Sequence, residues 1–466
     1  MFADRLKLPD GFVFYRDGII VSVARQLLWL RDTDGDDVAD VSQELFRGAD
    51  DTDTHHGGYL ARTPQGQVVY CEGLFHRGQF ETPHGLVRTK DATALYWDPH
   101  THSLSIERQT TTPNPWKISY NKWGESVQMF GGGQLLDCEL YNVSTPVGVY
   151  SPAELGGLFG YGKGCGMAHV SSTHFPGDWQ GGLVTGHLLG KNTVHFTPLE
   201  LVNGTYTKGS GALQILSSSN ASFRPVDFSF GLDGALYVSD FYYPIIGHAQ
   251  HSIRDKNRDY TNGRIWRVTR KGVELSKAPE IKDASMNEFF DLLTHPQVRV
   301  RELAREQLEN HPVEKVLKMA KSMVSKADEN GPLGLELLWL FERAKDFSEK
   351  DLLKKLLVSK SPEIRHAATR SIRWWAPVLG KEAHQLASNL WQTGDVRTQV
   401  ALISVASYLR DRDTFWQDFI DNAEAEPNTK LATMIELARG YRTPSIKPEF
   451  PLLKVDPSTK LSGWLT

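Results

Sequence analysis

Five aspartates fall within nine residues in Asp32-Thr-Asp-Gly-Asp-Asp-Val-Ala-Asp40. Asp32, Asp34, Asp36 and Asp40 take loop positions 1, 3, 5 and 9, and the carbonyl of Val38 supplies position 7. In that order one tight turn can wrap a hard cation such as calcium. Position 6, where such loops usually turn on glycine, is Asp37, and helical flanks are missing. The competing reading is an acidic, solvated hairpin tip, which would leave these carboxylates to repel one another. A second concentration of chemistry is His55-His56-Gly57-Gly58, two imidazoles on a loop that a backbone can approach closely. Glu72 to Gly85 is another polar loop, with His76, Arg77 and Glu81 as candidates for lining a site or for forming a surface ion pair. Further on come Asn114, a glycine-rich run from Gly156 to His169 and a long polar excursion from Tyr242 to Asn262. The glycine-rich run lacks the spacing of a phosphate-binding loop, so nucleotide binding is rejected; it would instead bring Lys163 or His169 toward a central axis. The last excursion holds His248, Arg254 and Arg258.

The elements that must position these groups are short strands. Around the last excursion, Val226–Phe230, Ala235–Asp240 and Arg264–Val268 are rich in Val, Phe, Tyr, Ile and Trp. The first two are joined through Leu232-Asp233-Gly234, an Asp-Gly hairpin signal. Short meandering strands with one long decorated loop describe a blade of a β-propeller. Earlier runs, Gly11 to Val23, Leu27–Arg31, Gln67–Cys71, Leu95–Asp98, Ser103–Glu107, Lys117–Tyr120 and Thr193–Pro198, read as further blades. Equivalent loops of a propeller share one face, so His55, His76, Asn114, His169 and the segment His248–Arg258 are expected to meet at one mouth. The aspartate loop, as a hairpin tip, would lie away from the axis and be structural.

After Val268 the character of the sequence changes, and from Asn287 onward the period is helical, with Phe289, Leu292 and Leu293, then Val298 and Leu303, on one face. Three segments begin alike: HPQVRVRELAREQL, SPEIRHAATRSI and GDVRTQVALISV. Their arginines, Arg299, Arg365 and Arg397, are spaced by 66 and 32 residues. Units of about 33 residues suit a HEAT-like helical solenoid. The expected organisation is multidomain, β then α: a partial, six-bladed-type propeller over 1–275, HEAT-like repeats over 276–441 and a Pro-rich tail over 442–466.

FGLDGALYVSD, YPIIGH and RDKNRDYTNGRIWRV resemble the Planctomycetes/Verrucomicrobia-type membrane-bound dehydrogenase family. That family is itself similar to the glucose/sorbosone dehydrogenases, six-bladed propellers that use pyrroloquinoline quinone and calcium. The resemblance runs over nearly the whole chain. It implies that His55 is the catalytic base, because His55, Gly58 and Leu60 match a His-x-x-Gly-x-Leu loop before a strand. It implies cofactor or substrate contacts from His56, His76, Arg77, Asn114, His169, His248, Arg254 and Arg258. It also implies a sugar or polyol substrate, an external electron acceptor such as a cytochrome c, and a periplasmic or extracellular location. Where the sugar dehydrogenases read Arg-Asn-Pro, this chain reads Pro113-Asn114-Pro115, and proline has neither charge nor donor for a cofactor carboxylate. Relatives usually carry an export signal and a first blade ahead of FADRLKLPDGF, so an N-terminally truncated member is expected. The haem-attachment motif C-x-x-C-H of many relatives is absent.

Bulk properties narrow the rest. The 466 residues exceed one typical domain, and 40% hydrophobic with 23% charged residues is ordinary globular composition. A formal charge of −4 gives no electrostatic reason to expect nucleic acid. No apolar run is long enough to span a bilayer, and no signal peptide is visible. Three scattered cysteines make no disulfide framework. Two functions fit: a quinone-dependent oxidoreductase acting on an alcohol or aldose, and a non-catalytic glycan-binding propeller with a helical protein-interaction module.

Overall fold

The computed structural model describes residues 1–50, 58–110, 114–131, 134–143, 159–160, 164–246, 252 and 255–440. Its first part is a β-propeller of five blades, each a meander whose strands run outward from the axis. Blade 1 is Pro9–Tyr15, Gly18–Val23, Gln26–Arg31 and Val41–Arg47. Blade 2 is Leu60–Arg62, Val68–Cys71, Ala92–Asp98 and Ser103–Thr110, with the hairpin Gln79–Thr82 and Gly85–Arg88 inserted after its second strand. Blade 3 is Pro115–Tyr120, Ser126–Phe130, Gln134–Asp137 and Phe159–Gly160. Blade 4 is Met167–His169, Leu183–His187, Thr193–Thr197 and Leu213–Ser217, and blade 5 is Pro225–Phe230, Leu236–Asp240 and Arg264–Val268. Strands covered on both faces are apolar throughout, as in Val68–Cys71, where all four residues are buried.

The α-helices that follow run from Met286–Leu292 to Lys430–Arg439. Their ends are written into the sequence. Ser285 and Glu288 form a reciprocal capping box, Ser361 and Asp395 cap the next turns through their side chains, and Gly440 closes the last helix in the left-handed conformation. The change of period read after Val268 is therefore real. Before it, two helical turns interrupt the described strands: Cys138–Tyr141 in blade 3, where Asp137 caps it, and the 3-10 turn Gly177–Trp179 in blade 4. None of the described helices is long and apolar enough to cross a membrane.

The helical core is continuous with blade 3: Phe130, Leu136, Leu140 and Val143 belong to the same buried cluster as Trp339, Trp375 and Trp416. The polar contacts show which face the helices cover. In a meandering blade, the turns joining strands one to two and three to four share one end. Arg343 donates to the carbonyl of Pro64, Arg370 to that of Trp123, Arg397 to that of Gly204, and Val298 N to that of Ser171. All four acceptors lie on such turns, so the helices cap that end. The opposite end carries the connections from strand two to three and from blade to blade.

The three arginines of the sequence pattern do unlike work. Arg299 pairs with Glu302 and Glu306, Arg365 donates to the carbonyl of Ser359, and Arg397 is buried against Glu125 and Asp137 of the propeller.

Candidate functional site

At the end left uncovered by helices fall four of the candidate residues, His76, Arg77, Asn114 and Arg258. Asn114 stands at the entry to blade 3 with φ +49°, and its carbonyl accepts Gly131 N at 2.9 Å. Gly131 is required there, since a Cβ would come within 2.7–2.9 Å of Trp116 Nε1 and the Asn114 side chain. His76 and Arg77 follow the second strand of blade 2. His76 is buried, while Arg77 projects outward and its backbone N–H donates to Asp50 at 2.8 Å. Arg258 donates from Nε to the carbonyl of Ser252 and lies 5.3 Å from the Tyr243 ring centre. His55, His56, His248 and Arg254 lie outside the described residues.

His169 departs from the expected convergence. It ends the inner strand of blade 4 at the helix-covered end, where the following turn meets Val298 and Gln297. Its Nδ1 is 2.9 Å from Ser119 Oγ, and burial pushes its pKa down to about 4. A single strand crosses the whole propeller, so a residue three positions along it changes face.

Two buried constellations escaped the sequence reading. Glu72, fully buried, stands where the second strand of blade 2 leaves the sheet. Thr89 Oγ1 donates to one carboxylate oxygen and Asp50 N to the other at 3.4 Å. Burial outweighs both bonds and raises its pKa to about 7. A charged residue directly after Val-Val-Tyr-Cys was the available signal. The other constellation is Lys117 on the inner strand of blade 3. Its Nζ lies 2.6 Å from Asp227 Oδ1 and 4.7 Å from the centre of the Tyr59 ring. Burial lowers the ammonium pKa, but Tyr59 and Asp227 together outweigh it and keep Lys117 charged. Nothing in the local sequence links positions 110 residues apart.

Blade 5 adds a hollow of about 690 Å³, lined by Asp240, Phe241, Tyr243, Asp259, Tyr260, Asn262, Arg264 and Ile265. Phe241 and Tyr243 lie 4.8 Å apart, and Tyr243 meets Tyr260 edge-on at 6.5 Å. Phe241 and Tyr260 are 51% and 68% exposed, so these are rings presented to solvent rather than core. Around them stand planar polar groups in fixed poses. Asp240 takes Arg264 Nε at 2.8 Å and Trp266 Nε1 at 3.1 Å. Asp259 accepts from the Asn262 side chain at 2.6 Å and from Thr261 N at 2.9 Å, bonds that hold its pKa down near 2. Aromatic faces beside pre-oriented carboxylate and amide groups suit a ring with C–H on one face and hydroxyls at its rim.

The aspartate loop is the turn from strand three to strand four of blade 1, on the helix-covered end. Asp32, Asp34 and Asp36 bring carboxylate oxygens within 4.8 Å of one another. Asp32 is oriented by Gly35 N at 2.7 Å and Asp37 N at 2.9 Å, and Asp36 by Val38 N at 2.8 Å. Asp37 itself adopts φ +65°, the conformation for which glycine was expected. The charge of Asp36 raises the pKa of Asp34. Asp40 does not join the three; its carboxylate accepts Thr33 N at 3.0 Å and Thr33 Oγ1 at 2.5 Å. Three convergent carboxylates fit a hard cation.

A family model described as "Domain of unknown function (DUF7133)" matches residues 1–132 and 138–272. No curated protein matches the chain. Among solved structures, a luciferin-regenerating enzyme is 13% identical, with 59% of this chain and 81% of that one covered and a TM-score of 0.35. A glucose dehydrogenase is 16% identical, with 58% and 85% covered and a TM-score of 0.36. The PQQ domain of pyranose dehydrogenase from Coprinopsis cinerea is 10% identical, with 51% and 91% covered and a TM-score of 0.26.

Proposed function

We propose that this chain, which belongs to the DUF7133 family, is a propeller that binds a sugar or polyol at the end its helices leave uncovered. The observation carrying this reading is the blade 5 hollow, where Phe241, Tyr243 and Tyr260 stand beside Asp240, Asp259, Asn262 and Arg264. Calorimetry of the whole chain against neutral sugars, polyols and glycans tests it. Saturable binding that is lost in Tyr243→Ala supports the reading. A panel with no binder, or binding that Tyr243→Ala leaves unchanged, overturns it.

Oxidation of the bound alcohol is the second reading, and Glu72 favours it. A carboxyl with a pKa near 7 can exchange a proton at neutral pH. Glu72 stands beside Asp50, immediately before the segment that carries His55 and His56. Pyrroloquinoline quinone would have to draw on Arg77 and Arg258 of this face, because other cations of the propeller are committed elsewhere. A tricarboxylate needs cations, and Lys117 is engaged by Asp227 while Arg264 is engaged by Asp240. Arg224 is spent on the carbonyls of Leu188 and Tyr243 and on Asn192, and Pro113 offers no donor. Dye reduction by the sugar panel, with the quinone and calcium added, discriminates the two readings. Turnover that vanishes in His55→Ala while sugar binding persists would establish oxidation, because a base acts in the transition state.

In either reading Asp32, Asp34 and Asp36 hold a structural calcium, supported by their convergence. The helices, with their HEAT-like spacing, serve a protein partner, and the site of action is periplasmic or extracellular, as the resemblance implies.

A further inference from the structure

Where the propeller channel meets the helices lies a second cavity, of about 310 Å³. Its lining draws on the inner strands of all five blades and on the helices Val298–Leu308 and Pro332–Ala344. Arg62, Arg305 and Arg343 are among the lining residues, and each side chain is at most 8% exposed. Their terminal nitrogens are well used. Arg62 and Arg343 share Glu309, at 2.5 and 2.9 Å, and Arg305 pairs with Glu336. Their Nε atoms are not: all three are buried with no acceptor among the described residues. Glu306 Oε2, on the same lining, is buried with no donor.

An unpaired buried donor is costly, because its lost hydration is not repaid by a bond. Three such donors belong to residues that line one cavity, with the orphan Glu306 Oε2 among that lining, and together they describe a half-made hydrogen-bond set. Charge points the same way. Burial, with Arg62 and Arg305 adding to it and Glu309 opposing, lowers the pKa of Arg343 to about 10. The like charges of Arg62 and Arg305 thus bear on Arg343 at this wall. From this geometry we infer that the cavity binds a small oxyanion that also carries a hydroxyl, such as hydrogenphosphate or a hydroxy acid. Its oxygens accept from the guanidinium groups and its hydroxyl donates to Glu306. Contacts from both parts of the chain would make it a clamp between propeller and helices.

The test uses the full chain, with inorganic phosphate and malate as probes and chloride at matched ionic strength as the control. Either probe should raise the melting temperature saturably, and malate should outdo succinate, which lacks only the hydroxyl. Ala168→Leu, which fills the lining without touching a charge, should abolish the shift. Arg305→Lys, which keeps the charge but loses the fork, should weaken the dissociation constant at least tenfold and gives the answer if Ala168→Leu does not fold. A shift no larger than that of chloride means water fills the cavity and overturns the inference. So does binding that either variant leaves unchanged.

Discussion

Arg397 of the helical region meets Asp137 of blade 3 through two nitrogen–oxygen pairs, at 2.7 and 3.1 Å, with both side chains almost wholly buried. The same guanidinium reaches Glu125 at 3.0 Å and the carbonyl of Gly204 at 3.0 Å, so one side chain ties together two turns of blade 3 and the hairpin of Leu199–Val202 and Thr205–Lys208 that is inserted before the last strand of blade 4. Its two carboxylate partners answer with charge, and Arg397 and Arg370 hold the pKa of Glu125 far below the usual range against the cost of burial.

Removing this arginine leaves the buried Asp137 without its guanidinium partner and Glu125 with Arg370 alone. Arg397→Met is expected to cost about 3–5 kcal/mol. Arg397→Lys should also destabilise, since an ammonium cannot make the paired contact with Asp137. Melting followed by circular dichroism checks both. A lysine variant as stable as the parent would show that charge alone suffices.

Glu72 should make stability fall as pH rises. Its pKa is raised from 4.5 to about 7 in the folded chain, so the folded state holds the extra proton between those values. The stabilising contribution is complete below about pH 4.5 and is lost as pH climbs through 7. In Glu72→Gln that part of the slope, at most about 3 kcal/mol, should disappear. Denaturant titrations at pH 5 and pH 8 supply the comparison, and parallel slopes in parent and variant would contradict the assignment.

Calcium should raise the melting temperature of the parent, and chelation should reverse the rise. Asp34→Asn is expected to abolish the response because Asp34 belongs to the convergent three. Asp40→Asn is expected to retain most of it, because that carboxylate is turned to Thr33. Equal loss in both variants would restore Asp40 as a ligand.

Tyr260→Ala should weaken sugar binding by about tenfold or more, the equivalent of 1.4 kcal/mol. With 68% of the residue exposed, its melting temperature should hardly move. Affinity and melting falling together would point to a packing role for the ring.

Local physics made much of the architecture legible. Strand alternation, the Asp-Gly turn at Asp233 and the caps at Ser285, Ser361 and Asp395 are decided by neighbours within a few residues. Sequence reading therefore places the end of the strands at Val268 and the onset of helices within a residue of Met286. The convergence of Asp32, Asp34 and Asp36 is local in the same way, while Asp40 is turned instead to Thr33, seven residues before it.

What the chain alone did not reveal depends on meetings across long separations. Lys117 finds Asp227, Glu125 finds Arg397, and three arginines from blade 2 and two helices surround one cavity. Burial then sets their chemistry, turning Glu72 into a group that titrates near neutrality and His169 into a neutral wall residue. Sequence determined the elements and their order, because each is stabilised by contacts within a turn or a hairpin. The tertiary structure alone decided which face each group occupies and what charge it keeps, because desolvation and pairing exist only once distant segments have packed.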